Sequence, residues 1–439
     1  MSEEAPLKTL LAKVIDNRGR TCPTADDGMP LIATNCVHNT GLYPTFEKIR
    51  HVDEQTYQGW FRGHPEPGDL IFVLKGTPGR VCLTPDPVTF CIAQDMVALR
   101  ADPTKVEPSY LFAALRSPQI QSAIGNLHVG SMIAHFKKGD FDRLMIPLPE
   151  KSAQKGIGEF YLEVSKKIEL NRRMSATLEE MARALYRSWF VDFDPVHARA
   201  LGQSPAHMAP TTAALFPDSF GPDGLPKGWK KRSLREITST LTKGTTPRKI
   251  DLSQAGDAAS VNFLRVNAIA DQGEILMNSL ISIPSSIHQG ALKRSILQDK
   301  DVVFSIAGTI GRSSIITHDL LPCNCNQAVS ILRPKEWLPS AFLWLAVNEN
   351  SFKEKLLSGV VHAVQANLSL GQIGDARIPL PEEDVLRKMV LPISELVAAA
   401  LGRNKESQTL ATLRDTLLPR LMSGDLRIRE AEKQVEEPV

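Results

Sequence analysis

Apolar positions along the 439-residue chain follow two kinds of pattern, and the two alternate. Short runs such as Leu70-Ile71-Phe72-Val73-Leu74 and Val97-Ala98-Leu99 come first, and far down the chain Asp301-Val302-Val303-Phe304-Ser305-Ile306 and Val329-Ser330-Ile331-Leu332 look the same. They are aliphatic, aromatic or β-branched and bounded by Gly or Pro, which predicts strands. Each set leads to a stretch opening on proline, Pro108 to Leu115 and Pro339 to Asn348. A proline suits the first turn of a helix, where its missing N–H has no intrahelical partner anyway, so short helices are predicted there. Cys323 and Cys325, one residue apart, suit one face of a strand.

The second pattern is helical. Ile157, Val164, Ile168, Leu178, Leu185 and Trp189 keep mainly to spacings of three, four and seven, as do Met389, Ile393, Leu396, Leu410, Leu413, Leu417 and Leu421. Such a stripe is the mark of a helix that packs on another helix. Asn171 and Asn404 interrupt the two stripes near their centres, either facing solvent or fixing register on the seam. Gly402 lies in the middle of the second run, and Pro392 and Pro419 near its ends are expected to bend or shorten that helix. Ser152 to Phe190, if helical throughout, would extend roughly 58 Å at about 1.5 Å per residue.

The two patterns recur because the chain repeats itself. Gly68-Asp69-Leu70-Ile71-Phe72 resembles Lys300-Asp301-Val302-Val303-Phe304, and Gly76-Thr77-Pro78-Gly79-Arg80 resembles Gly308-Thr309-Ile310-Gly311-Arg312. Tyr110-Leu111 matches Phe342-Leu343, and Ile146-Pro147-Leu148-Pro149 matches Ile378-Pro379-Leu380-Pro381. All lie 232 positions apart, as 300 lies from 68 and 378 from 146. Asn35 and Asn267 keep the same offset, while Gln94 and Gln327 need one inserted residue. A period this long is two domains of one fold rather than a solenoid. The Pro-Leu-Pro triplets are expected to stop a strand and close each domain. Between the copies, Pro195 to Lys227 holds six prolines and three glycines and reads as a linker.

Composition adds little. Lys+Arg 51 against Asp+Glu 49 is too even to point to a nucleic-acid partner. The six cysteines form no C-x-x-C pair, which argues against a zinc site or a disulfide framework. The acidic start MSEEAPLKTLL has no apolar signal core and no apolar run approaches 18 residues, so a reducing cytoplasm is expected. No Walker loop, dinucleotide fingerprint, H-E-x-x-H or G-x-S-x-G is present, nor an Asn/Asp-Pro-Pro-aromatic run. No catalytic residue and no metal ligand is therefore assigned.

Met181-Ala182-Arg183-Ala184-Leu185-Tyr186-Arg187-Ser188-Trp189-Phe190-Val191-Asp192-Phe193-Asp194-Pro195-Val196 resembles the run that ends the central helix in specificity subunits of type I restriction–modification enzymes. Ala214 to Phe220 with Pro226-Lys227-Gly228-Trp229 resembles the start of their second recognition domain, and Leu410 to Gly424 their final helix. The resemblance implies an α+β chain with two similar β-rich target-recognition domains separated by two long antiparallel coiled-coil helices. Its first domain would be 1–151, the central spacer helix 152–194, the linker 195–228, the second domain 229–383, the C-terminal spacer helix 384–425, and 426–439 a charged, disordered tail. The first copy lacks a tryptophan like Trp229 before Lys8-Thr9-Leu10-Leu11, which leaves its N-terminal edge undefined.

The resemblance further implies a non-catalytic subunit that recognises a bipartite, asymmetric site on double-stranded DNA. Two methyltransferase subunits and restriction/translocase subunits would be its partners, carrying S-adenosylmethionine, ATP and magnesium; no membrane is involved. Phosphates call for cations, hydroxyls or backbone N–H groups, and base edges for forked donors. Those demands select Lys75, Thr77, Arg80, Gln94, His135, Lys137 and Lys138 in the first copy. In the second they select Lys243, Thr245, Thr246, Arg248, Lys249, Thr309, Arg312 and Gln327. Each cation could instead be a solvated surface charge, and Arg80 and Arg312 could pair with Asp69 and Asp301. The rival reading is a protein–protein scaffold of two β-rich modules on a coiled coil, without DNA contact.

Overall fold

The computed structural model describes residues 3–17, 21–127, 135–248, 260–358 and 367–436. The chain divides into two compact units. One joins Met1–Arg173 to Arg403–Val439, and the other is Met174–Gly402.

In the first unit, Leu11–Asp16, Met96–Ala101, Leu70–Val73 and Val81–Leu83 form an antiparallel sheet in that spatial order. Arg50–Val52, Met29–Ile32 and Cys91–Ile92 form a second sheet whose last pair is parallel. Glu3–Pro6 pairs antiparallel with Met145–Leu148. The second unit repeats all three sheets. Thr238–Lys243, Val329–Pro334, Val302–Ser305 and Ser313–Ile315 make the first, and Ile281–Pro284, Ser260–Leu264 and Cys323–Cys325 the second. Lys230–Ser233 with Arg377–Leu380 makes the third. Even the bulge recurs, between Leu11 and Lys13 and between Thr238 and Thr240.

The third sheets define the first domain's edge. Glu3–Pro6 pairs with Met145–Leu148 as Lys230–Ser233 pairs with Arg377–Leu380, so the first domain's edge lies at that strand. Both strands end inside the Pro-Leu-Pro triplets, at Leu148 and Leu380, as expected, though not at the first proline of each. Pro147 and Pro379 lie inside strands, because a two-stranded sheet gives each strand an unpaired edge where a missing N–H is harmless.

The predicted short helices are Pro108–Arg116 and Ser340–Asn348, each followed at once by another, Pro118–Asn126 and Asn350–Ser358. The long helices are Lys151–Phe190 and Glu383–Ser423. Neither Pro392, Gly402 nor Pro419 ends the second, which runs for 41 residues. The cost of a mid-helix proline, about 3 kcal/mol, is outweighed by burial of Met389, Val390 and Ile393 around Pro392.

Each unit contains one segment of each long helix, paired antiparallel. In the first, Lys167 meets Glu406 at 3.2 Å and Arg414 donates to Ser165 at 3.2 Å. In the second, Ser175 donates to the Ala400 carbonyl at 3.2 Å. Of the seam residues, Ile157, Val164, Trp189, Met389, Ile393, Leu410, Leu417 and Leu421 are buried, and Ile168, Leu178, Leu185, Leu396, Asn404 and Leu413 are half-buried. Asn171 is fully buried. Burial alone would raise the Glu406 carboxyl, but Arg403, Lys167 and Asn171 together hold it below the usual carboxylate range. The helices also serve as core for the β-domains. Phe160 and Tyr161 pack with Phe112, and Tyr186 and Phe190 pack with Phe342.

Two segments depart from expectation. The proline-rich stretch is not an open linker: it forms Asp194–Ala200 and Pro210–Ala213 and buries Phe216 and Leu225 in the second unit's core, where Trp229 also lies. The charged tail is helical over Ile428–Glu436, with Ala431 buried and Ile428 against Gly156. Among the described residues, no helix is long and apolar enough to cross a membrane. All six cysteines are free and buried, and burial pushes the Cys82, Cys91 and Cys323 thiols up to about 12.

Glu179 is the exception to the helices' ordinary ionic surface. Its side chain is 17% exposed, 3.8 Å from Arg183. Burial, reinforced by Glu274 and only partly opposed by Arg183, raises its carboxyl to about 7. A raised acid pKa favours the folded state below the unfolded value near 4.5, and that contribution is lost as pH climbs through 7. Glu179→Gln is therefore expected to be about as stable as the parent at pH 5 and about 2 kcal/mol more stable at pH 8. Denaturant titration at both pH values measures this, and a pH-independent difference refutes it.

Candidate nucleic-acid interface

The repeated Gly-Thr-x-Gly-Arg segment is a hairpin turn in both units. In the first it joins Leu70–Val73 to Val81–Leu83, and Gly76 and Gly79 take φ of 86° and 88°. In the second, Gly308 and Gly311 take 73° and 93°. A side chain would be strained in this left-handed region, which is why both glycines recur.

The same backbone joint anchors each turn. The Leu74 N–H donates to the Asp95 carbonyl (2.9 Å), and the Phe136 N–H to the Leu74 carbonyl (2.7 Å). Ile306 N–H to Ala328 (2.8 Å) and Leu368 N–H to Ile306 (2.9 Å) repeat it. Three loops distant in sequence thereby converge on one edge of each unit.

In the first unit this gathers most of the selected residues. Lys75 bridges the backbone of His135, with Gln94 beside Asp95 and Lys137 following Phe136. Lys75, Thr77, His135 and Lys137 are exposed; Arg80 and Gln94 are half-buried. Among the described residues, the side chains of Lys75, Arg80 and Lys137 meet no hydrogen-bond or ion-pair partner. Lys138 instead pairs with Asp16, and burial holds its ammonium below the usual range. The Lys137 N–H donates to Asp140 at 2.8 Å, which shapes the loop.

In the second unit Thr309 is exposed at the turn, and its carbonyl accepts from Ser305 at 2.6 Å. Arg312 is committed: it donates to Asp271 at 2.6 Å and to the Ile269 carbonyl at 3.1 Å. Gln327 accepts from the Thr246 hydroxyl, and the Gly244 and Thr245 N–H groups bond Val329 and Cys325. That brings the 243–246 strand end to the Gln327 loop, with Lys243, Thr245 and Arg248 exposed. Lys249 lies outside the described residues.

Arg80 and Arg312 do not pair with Asp69 and Asp301. Those carboxylates are taken by Arg100 (2.8 and 2.9 Å) and Arg333 (2.7 and 2.8 Å), each gripped two-pronged. Asp69 and Asp301 are 2% and 0% exposed. Arg100 and Arg333 lie 233 positions apart, the offset that also relates Gln94 to Gln327, so a search of the repeat for charges could have found them.

Residues 15–180 and 226–391 match the model for the type I restriction modification DNA specificity domain. The chain is 24% identical over 413 residues to the HindI specificity subunit of Haemophilus influenzae, covering 82% of this chain and 86% of that protein. It is 24% identical over 409 residues to the EcoBI specificity subunit of Escherichia coli, covering 91% and 80%. The crystal structure of the S subunit of a type I restriction–modification system from M. genitalium has the same fold, with a TM-score of 0.55 at 15% identity over 96% of each chain.

Proposed function

Because the chain belongs to the family of type I restriction modification DNA specificity proteins, we propose that each of its two domains reads one half of a bipartite, asymmetric DNA site through its glycine-turn edge. The supporting observation is the duplicated joint that brings three loops to that edge in both units. In the first unit the edge carries exposed Lys75, Thr77, His135 and Lys137 and half-buried Arg80. The second carries Lys243, Thr245, Thr309 and Gln327, and the two edges differ as readers of unlike half-sites must.

The protein recognises DNA within a restriction–modification complex and is not itself catalytic. Two methyltransferase subunits dock on the exposed flanks of the long helices and restriction/translocase subunits join them. S-adenosylmethionine, ATP and magnesium belong to those partners, and the assembly works in the cytoplasm. Co-expression with the methyltransferase subunit, followed by genome-wide mapping of methylated adenines, is expected to yield a split motif. Methylation at an unsplit motif, or none dependent on this chain, would overturn the reading and favour a scaffold.

A further inference from the structure

Behind each glycine turn stands the pair of short helices, and in both units the second places a side chain at the equivalent position against the turn. Gln121 donates through Nε2 to the Gly79 carbonyl at 2.8 Å and to the Leu115 carbonyl at 2.6 Å. A Cβ on Gly79 would lie 3.3 Å from Gln121 Oε1 and 3.1 Å from Ile124. Arg116, 7% exposed, holds the residue after the turn: its Nε and Nη2 reach the Val81 carbonyl at 3.0 and 2.6 Å. Nη2 also meets the His38 and Gly41 carbonyls.

The second unit uses different chemistry at the same places, 348 lying 232 from 116 and 353 lying 232 from 121. A Cβ on Gly311 would lie 3.6 Å from Lys353 Cδ, so the lysine stem backs the turn. Its ammonium donates to Asn348 Oδ1 at 2.9 Å. Asn348 in turn donates to the Ser313 hydroxyl, and Ser313 stands where Val81 stands. Neither Gln121 nor Lys353 is fully exposed, and neither lies on the turn it supports.

We propose that Gln121 and Lys353 are positioning residues for sequence reading: each sets the pose of one glycine turn from behind, and each governs one half of the DNA site. The inference rests on the reading that the turns face DNA. A single hydrogen bond to a turn carbonyl adds little net stability. A recognition loop must nonetheless hold its side chains within about 0.5 Å of their working geometry, so a small loosening degrades discrimination before it degrades folding.

The test uses the full chain co-purified with the methyltransferase subunit. It is selected on a random-sequence DNA duplex library, and base preferences are scored separately in the two halves of the motif. Gln121→Glu keeps the shape but cannot donate to the Gly79 carbonyl; Lys353→Ala removes stem and ammonium. Each variant is expected to lower preference about tenfold in one half only, and not the same half. Lys353→Arg, which keeps a donor on an aliphatic stem, is expected to retain preference in both. Preferences unchanged in both halves overturn the proposal. So does equal loss in both halves with a lowered unfolding midpoint, the mark of a merely structural role. A parent complex that selects no split motif overturns the DNA-reading function, and the clamp with it.

Discussion

Arg333→Ala is expected to destabilise the second unit by about 4 kcal/mol, and Asp301→Ala by about 3 kcal/mol. The order follows from burial. Asp301 is fully buried, so among the described residues removing Arg333 leaves its carboxylate with only the Gln298 N–H at 2.8 Å. Removing Asp301 leaves a guanidinium that is 24% exposed and still donates to the Ile296 carbonyl, so water and backbone compensate in part. Changing both to apolar residues of similar volume should recover most of the loss, since a buried pair gains little over good packing. Denaturant titration of the two single variants and the double variant measures all three. A loss under about 1 kcal/mol for Arg333→Ala would make this an ordinary surface pair.

A second large effect is expected on binding. Lys75→Glu combined with Lys137→Glu should weaken DNA binding about a hundredfold at low salt and flatten the dependence of log K on log salt by about two. Both side chains are exposed and meet no partner among the described residues, so the fold should not change. The difference should shrink as salt rises, because the lost term is counterion release. Equal affinity for parent and variant in 50 mM salt would remove this edge from the interface. Arg80→Ala should cost more than Arg312→Ala in discrimination, since Arg312 spends two donors on Asp271 and Ile269.

Much of this architecture could be read from spacing. The glycine turns, the Asp residues before the central strands and the Ile-Pro-Leu-Pro strands keep one offset, and all belong to the same three sheets. The N-terminal strand escaped because the offset there is 227, as 230 lies from 3, and an insertion breaks the register. The linker and tail were misjudged for a different reason. Six prolines suggest an open chain, yet Phe216 and Leu225 join a hydrophobic core with Trp229 that exists only in three dimensions. In the tail, apolar contacts by Leu426, Ile428, Ala431 and Val435 outweigh a charged composition. The seam was half legible: aliphatic spacing picks out Ile157 and Leu417, but Tyr161 and Phe190 serve the β-domains as well and break the simple stripe. The candidate site was the least legible part. Nothing in composition tells Arg80 from Arg100 as the partner of Asp69; only the strand pairing of Leu70 with Leu99 puts Arg100 there.

The first unit is sewn together from two stretches far apart in sequence, and biosynthesis must respect that. A ribosome emits Met1–Arg173 long before Arg403–Val439, the piece that supplies Leu410, Leu417, Leu418 and Leu421 to the same core. At about 5–20 residues per second, the newborn N-terminal domain waits many seconds with an uncovered apolar groove, while the contiguous stretch Met174–Gly402 can close on its own. A stop codon just after Gly402 should therefore damage the domain built from Met1–Arg173 rather than the stretch it directly follows.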